Sequence, residues 1–236
     1  MQNKIQILST KKIDSTLIQL ATENNICVDQ LNFIQTEECI SDEIKKRIIK
    51  LSKEKITAIF TSSKTVNVVR KIVSKQTNWK IYCIEPATKK TVENIFTSSV
   101  IVGSAKDAAQ LAEKISKDDS VKQIVFFCGN QRRNTLPKKL RSNEIKVEEL
   151  VVYKTIEKPQ LVSKTYAGIL FFSPSAVKSF FSSNKIKEST TLFAIGNTTA
   201  EEVRLFTKAK IIIAGNPEQK ELINDVIKYY TSIKIL

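Results

Sequence analysis

The sequence predicts an α/β protein of two similar domains, each a parallel sheet flanked by helices, with a cleft between them. Three observations predict it. Short apolar runs rich in Ile, Val and Phe alternate with stretches of helical spacing, the pattern of parallel strands linked by crossover helices. Some runs, such as 124–127, are apolar throughout, which suits strands buried on both faces. The chain also repeats itself. Shifted by 111, the segment from Ala58 to Val66 falls on Ile169 to Val177, Tyr82 to Thr88 on Phe193 to Thr199, and Val100 to Val102 on Ile211 to Ile213. Shifted by 119, Asn25 to Leu31 falls on Glu144 to Leu150, and Thr36 on Thr155. One unit of about half the chain is used twice, and 236 residues suffice for two domains.

The elements follow in order. A strand at 4–8 (Lys-Ile-Gln-Ile-Leu) leads to a helix at 15–24 and a strand at 28–35. A helix at 44–53 precedes the pairs strand 58–61 with helix 63–75, strand 80–84 with helix 87–95, and strand 100–102 with helix 105–116. Strand 123–127, helix 136–143 and strand 147–152 complete the first copy. The second copy gives strand 168–172, helix 176–182, strand 192–195, helix 199–206, strand 211–214 and helix 220–231. Each apolar run ends in a polar turn before its helix.

Composition narrows the class. With 42% apolar and 26% charged residues the chain reads as a soluble globular protein. No apolar stretch approaches the ~18 residues of a membrane span, and residues 1–8 carry no sustained apolar segment of a signal peptide. A cytoplasmic protein without membrane attachment is expected. Cys27, Cys39, Cys83 and Cys128 form no C-x-x-C pair and there is no histidine, which argues against a metal site and for cysteines that pack as small apolar groups. The net charge of +14 has two readings: an anionic partner, either nucleic acid or a polyanionic small molecule, or a bias of composition. Only six of the 38 basic residues are Arg and the lysines are scattered, unlike the concentrated basic face of a nucleic-acid binder. Direct nucleic-acid binding is therefore not expected, which leaves a polyanionic small molecule or a bias of composition.

In open parallel sheets, ligands sit at the carboxyl ends of the strands. The turns there are Thr61-Ser62-Ser63, Glu85-Pro86-Ala87-Thr88, Cys128-Gly129-Asn130-Gln131, Ser173-Pro174-Ser175 and Gly196-Asn197-Thr198-Thr199. Free N–H groups and the positive helix dipole at such turns suit carboxylate or phosphate. Ser and Thr are also ordinary N-caps, so one turn alone would say little; five at related positions say more.

The segment from Phe126 to Leu140, with Val151-Val152-Tyr153-Lys154-Thr155, Phe171-Phe172-Ser173-Pro174-Ser175-Ala176-Val177 and Phe193-Ala194-Ile195-Gly196-Asn197-Thr198-Thr199-Ala200, resembles uroporphyrinogen-III synthase in motif order and spacing. The resemblance runs from about Lys55 to the C-terminus. It implies a discontinuous domain of residues 1–34 plus 158–236, a second of 39–149, and a two-stranded linker of 35–38 and 150–157. It implies closure of the linear tetrapyrrole hydroxymethylbilane with loss of water and inversion of the last pyrrole ring, through a spirocyclic pyrrolenine, to uroporphyrinogen III. No metal and no organic cofactor take part, and the substrate carries eight carboxylates.

With no histidine, the proton donor for the departing hydroxyl must be Tyr, Lys, Asp or Glu. Tyr153 matches the tyrosine that the family places at its cleft. The carboxylate-holding candidates are Ser62, Thr88, Ser173, Ser175, Thr198 and Thr199, with Gly129, Asn130 and Gly196 for their backbone, and Arg133 for bidentate pairing. Two positions depart from the family pattern: Glu85 where Gly is frequent, expected to point away from an octa-anion, and Asn197 where Pro is common. The alternative reading is a non-catalytic module binding a polyanionic small ligand in the same cleft. A monomer is expected, because no exposed apolar stripe is evident.

Overall fold

The computed structural model describes residues 4–73 and 77–233. The chain forms two compact units. One combines the stretch up to Gln35 with that from Ile156 onward; the other is Thr36–Thr155.

The first unit contains β1 (Ile5–Ser9), α1 (Ser15–Glu23) and β2 (Ile26–Gln30). The chain returns to it with β9 (Gly168–Phe171), α7 (Pro174–Phe181), β10 (Thr191–Ala194), α8 (Asn197–Arg204), β11 (Ile211–Ile213) and α9 (Gln219–Ile233). Its sheet has the order β11-β10-β9-β1-β2 and is parallel throughout. β1 lies between β2 and β9, so Ile7 and Leu8 are fully buried, one on each face. One face packs Leu170 and Phe193 against α9 residues Leu222, Ile223 and Val226. The other packs Phe171 edge-on against Phe180 at 5.5 Å, with Phe33 meeting Phe180 at 5.3 Å.

The second unit contains α2 (Asp42–Leu51), β4 (Thr57–Phe60), α3 (Ser63–Arg70), β5 (Lys80–Ile84), α4 (Ala87–Ile95), β6 (Val100–Ala105), α5 (Ala108–Ser116), β7 (Gln123–Gly129), α6 (Thr135–Ser142) and most of β8 (Lys146–Glu157). With β3 (Ile34–Glu38), the sheet order is β3-β8-β7-β4-β5-β6. Cys39 N–H donates to the Val152 carbonyl and Lys158 N–H to the Phe33 carbonyl (3.1 and 2.8 Å). The partners run in opposite directions, so β3 lies antiparallel to β8 at the edge of an otherwise parallel sheet. Phe60, Trp79, Phe96 and Phe127 stack at 5.2–5.6 Å beneath it. The indole N–H of this fully covered Trp79 is satisfied by the Leu51 carbonyl at 2.9 Å, as a buried indole requires.

The repeat appears as matched topology. Read from one edge, β11-β10-β9-β1-β2 superposes in order on β6-β5-β4-β7-β8. Asn25 and Glu144, 119 apart, both take φ 60° after the C-caps Asn24 and Asn143.

Three expectations need correcting. The strand foreseen at 28–35 is two strands, β2 and β3, because the chain leaves the β1 ladder after Leu31, whose N–H still bonds the Ser9 carbonyl at 3.0 Å, and Phe33 plunges into the core. The helix foreseen from residue 105 begins at Ala108, because Asp107 caps it by accepting from Gln110 N–H at 2.8 Å, and β6 runs on to Ala105. β8 runs unbroken over 12 residues, so the strand expected at 147–152 and the linker strand at 150–157 are one. Helix 63–75 ends at Arg70, with Lys71 as its C-cap, and residues 74 and 75 lie outside the described residues.

Candidate active site

Topology fixes where a ligand belongs. In the six-stranded sheet, β4 leads to β5 on one side and β7 leads to β8 on the other. The winding therefore reverses between the adjacent strands β4 and β7, and ligands of open parallel sheets sit outside the strand ends at such a reversal. A cavity of about 310 Å³ lies there, lined by Thr61 after β4, Lys106 and Asp107 after β6, and Arg132 and Arg133 after β7, over an apolar floor that includes Phe126. Arg132 is already engaged. Its Nε pairs with Glu149, which also accepts from Arg141 Nη2 at 2.7 Å. Burial pushes the Glu149 carboxyl up, but the bonds from the two guanidinium groups outweigh it and hold the carboxyl below its ordinary range.

Tyr153 sits on β8 opposite Gly129, where a register shift between Cys128 and Gly129 interrupts the ladder. The ring fills the space above the glycine: a Cβ built at position 129 would meet Tyr153 Cζ at 2.5 Å and Oη at 2.8 Å. Any larger residue there would displace the ring. The turn after β7 is clasped to the same strand. Asn130 N–H donates to the Tyr153 carbonyl at 3.1 Å, and Thr155 N–H donates to Asn130 Oδ1 at 2.9 Å. The ring also packs against the Phe60–Trp79 core. Over its face, 5.7 Å from the centroid, stands the ammonium of Lys64 in the first turn of α3, within reach of cation–π attraction. Lys64 also donates to Thr36 Oγ1. Tyr153, Gly129, Asn130, Lys64 and Thr36 thus form one cluster in the second unit.

The predicted hydroxyls divide into three groups. Ser62 and Ser173, at matching points of the repeat, are N-caps: each Oγ accepts from the N–H three residues on, at 3.2 Å (Thr65 and Ala176). The Ser62 hydroxyl is further shared with Thr65 Oγ1 at 2.6 Å. Thr88 and Thr199 lie on the core-facing sides of α4 and α8, 5% and 3% exposed, so they have almost no surface for a ligand. Ser175 and Thr198 stand in the first turns of α7 and α8. Gly196, the N-cap of α8, has nothing within 4 Å of an added Cβ, so the start of that helix is open to an approaching group. Glu85 is turned toward β6, accepting from Ser104 Oγ at 2.8 Å.

Sequence reasoning missed Lys64 and Lys106. Lys64 follows directly on the Thr61-Ser62-Ser63 turn, so its place in a first helical turn was the available signal. Lys106 gives none, because helical spacing places it inside a helix from residue 105, whereas it stands between β6 and α5. Among the described residues no group of three or more His, Cys, Asp or Glu could hold a metal ion, and no helix is long and apolar enough to cross a membrane.

The family model described as uroporphyrinogen-III synthase HemD matches residues 15–224. Among solved structures, a mutant uroporphyrinogen III synthase from Thermus thermophilus aligns with TM-score 0.70 at 10% identity, over 98% of this chain and 100% of that one. The uroporphyrinogen-III synthetase of Helicobacter pylori aligns with TM-score 0.65 at 16% identity, over 95% and 99%. At these identities the structures speak for the fold, and the family model for the sequence. The match spans most of the chain, and this protein belongs to the uroporphyrinogen-III synthase family.

Proposed function

We propose that this chain closes hydroxymethylbilane to uroporphyrinogen III as a cytoplasmic monomer, without metal or organic cofactor and without nucleic acid. The observation that carries the reaction is the family match over residues 15–224. The assignment of roles rests on the pinned ring of Tyr153 beside Lys64.

The hydroxyl on the terminal ring's carbon is a poor leaving group. The Tyr153 phenol gives it a proton, the C–O bond breaks with its electron pair, and water departs. The cation left behind is stabilised by the pyrrole nitrogen. A new carbon–carbon bond then forms at the already substituted carbon of the last ring, which yields the spirocyclic pyrrolenine and, on rearrangement and loss of a proton, the inverted macrocycle. The cation needs no further activation, so the work of the protein is positioning, which contributes several kcal/mol when reacting atoms are held in place. Lys64 and Arg133 meet substrate carboxylates as cations. The backbone amides that begin α3, α7 and α8 meet others, with Ser62, Ser173 and Gly196 setting the geometry of those turns. Gly129 and Asn130 hold Tyr153 in place.

The test is isomer analysis. Hydroxymethylbilane is made in situ by its upstream synthase, the protein is added, and products are oxidised to porphyrins and separated. Predominant type III supports the reading; type I alone, from folded protein, overturns it.

A further inference from the structure

The five-stranded sheet has a reversal of its own. β1 leads to β2 on one side and β9 to β10 on the other, so the winding reverses between β1 and β9. The chain leaves β1 through Thr10 and Lys11, and leaves β9 through Phe172 and Ser173. The Lys11 ammonium lies 4.5 Å from the centre of the Phe172 ring.

The loop that carries Lys11 is fixed on every side. Thr10 N–H and its hydroxyl both donate to the Leu170 carbonyl, at 3.1 and 2.7 Å. The Ser9 hydroxyl donates to the carbonyl of Lys11 itself at 2.6 Å. Lys12 N–H donates to Asn32 Oδ1 at 3.1 Å, and Ile13 N–H to Gln30 Oε1 at 2.8 Å. Lys11 is partly buried, whereas its neighbour Lys12 is exposed. Among the described residues no carboxylate lies within ion-pair distance of Lys11, and burial alone lowers its pKa. An ammonium drawn out of water with only a ring face for company is incompletely compensated. A held loop offers it to an anion without the cost of ordering the backbone.

We propose that Lys11, at the β1–β9 reversal, is a binding residue for one carboxylate of the polycarboxylate substrate. The proposal rests on the polycarboxylate reading above, and its test separates the two. Lys11→Met keeps the apolar stem and the packing on Phe172; Lys12→Met is the control; Lys11→Arg restores the charge. Porphyrin fluorescence titration with uroporphyrin III, an octacarboxylate, reads binding without turnover, and the coupled assay reads KM and kcat.

Loss of one charge-assisted contact is expected to raise Kd and KM about tenfold in Lys11→Met. Lys12→Met should match the wild type, Lys11→Arg should recover most of the affinity, and kcat should change less than KM. Equal binding by Lys11→Met and Lys12→Met overturns the proposal. So does a folded wild-type protein that binds no uroporphyrin. A wild-type protein that forms only type I yet binds uroporphyrin in a Lys11-dependent way supports the anchor and overturns the synthase reading instead.

Discussion

Tyr153 and Gly129 face each other across β8 and β7 so closely that the phenol ring stands where a side chain at 129 would have to grow. The absence of a Cβ on one strand thus fixes the position of the candidate proton donor on the next. Gly129→Ala should therefore disable the enzyme without unfolding it. Forcing a methyl into filled space costs about 1–3 kcal/mol of stability, and a displacement of about 1 Å at a reacting group costs about a hundredfold in rate. Thermal melting alongside kcat separates the two effects. An active Gly129→Ala protein would argue against Tyr153 as the donor.

Tyr153→Phe keeps the ring, its packing and the strand hydrogen bonds while removing the proton. Its rate should fall by about 10²–10⁴, with the melting temperature and KM near those of the wild type. A loss confined to KM would instead make Tyr153 a binding group.

Arg47 Nε and Nη2 bond the two oxygens of Glu148, each at 2.7 Å, joining α2 to β8. The hydrogen bonds from Arg47 hold the Glu148 carboxyl below its ordinary range, against a smaller upward push from burial. A carboxyl depressed in the folded state contributes stability above its unfolded pKa of about 4.3, and loses that contribution as pH falls through the lower folded value. Glu148→Gln should lower stability at pH 7 by on the order of 1 kcal/mol, discounted because Arg47 is a third exposed. The difference from wild type should shrink below about pH 4. Denaturant titrations at pH 7 and in acid measure it; a difference that grows in acid would contradict the pairing.

Burial pushes the Cys83 thiol up to about 11 and the Cys128 thiol up to about 12. Since the thiolate is the nucleophile, neither should react with an alkylating reagent at pH 8 in the folded protein. Both should react after unfolding. Mass spectrometry of peptides labelled before and after denaturation checks this.

The repeat made the architecture legible. Offsets of 111 and 119 in the sequence correspond to two sheets of the same strand order, and Ser62 and Ser173 turn up as equivalent caps. Tertiary demands changed what periodicity had suggested. Phe33 breaks what reads as one strand by entering the core, and the Asp107 cap outweighs the helical spacing that begins at 105. Thr88 and Thr199 looked like ligand-facing hydroxyls because they follow turns, yet helical geometry rotates both toward the interior. Lys64 and Lys11 were lost among many scattered lysines. Each stands out only once the fold brings an aromatic ring beneath it, and that proximity has no local signature.

The split of the first unit has a consequence for how the chain is made. Ile7 of β1 pairs in register with Gly168 of β9, and at a synthesis rate of roughly 5–20 residues per second β1 emerges about 10–30 s before its partner. The second unit is one uninterrupted run, so it can close its sheet while β1, α1 and β2 wait with one side of β1 uncovered. Pulse-labelled hydrogen exchange during refolding should show β4, β5 and β7 amides protected ahead of those in β1 and β9, in keeping with the slowness of distant pairings. Nascent chains halted before residue 168 would expose Ile7 and Leu8 to any chaperone at the exit tunnel, which makes the earlier-made half of this unit wait for the later one.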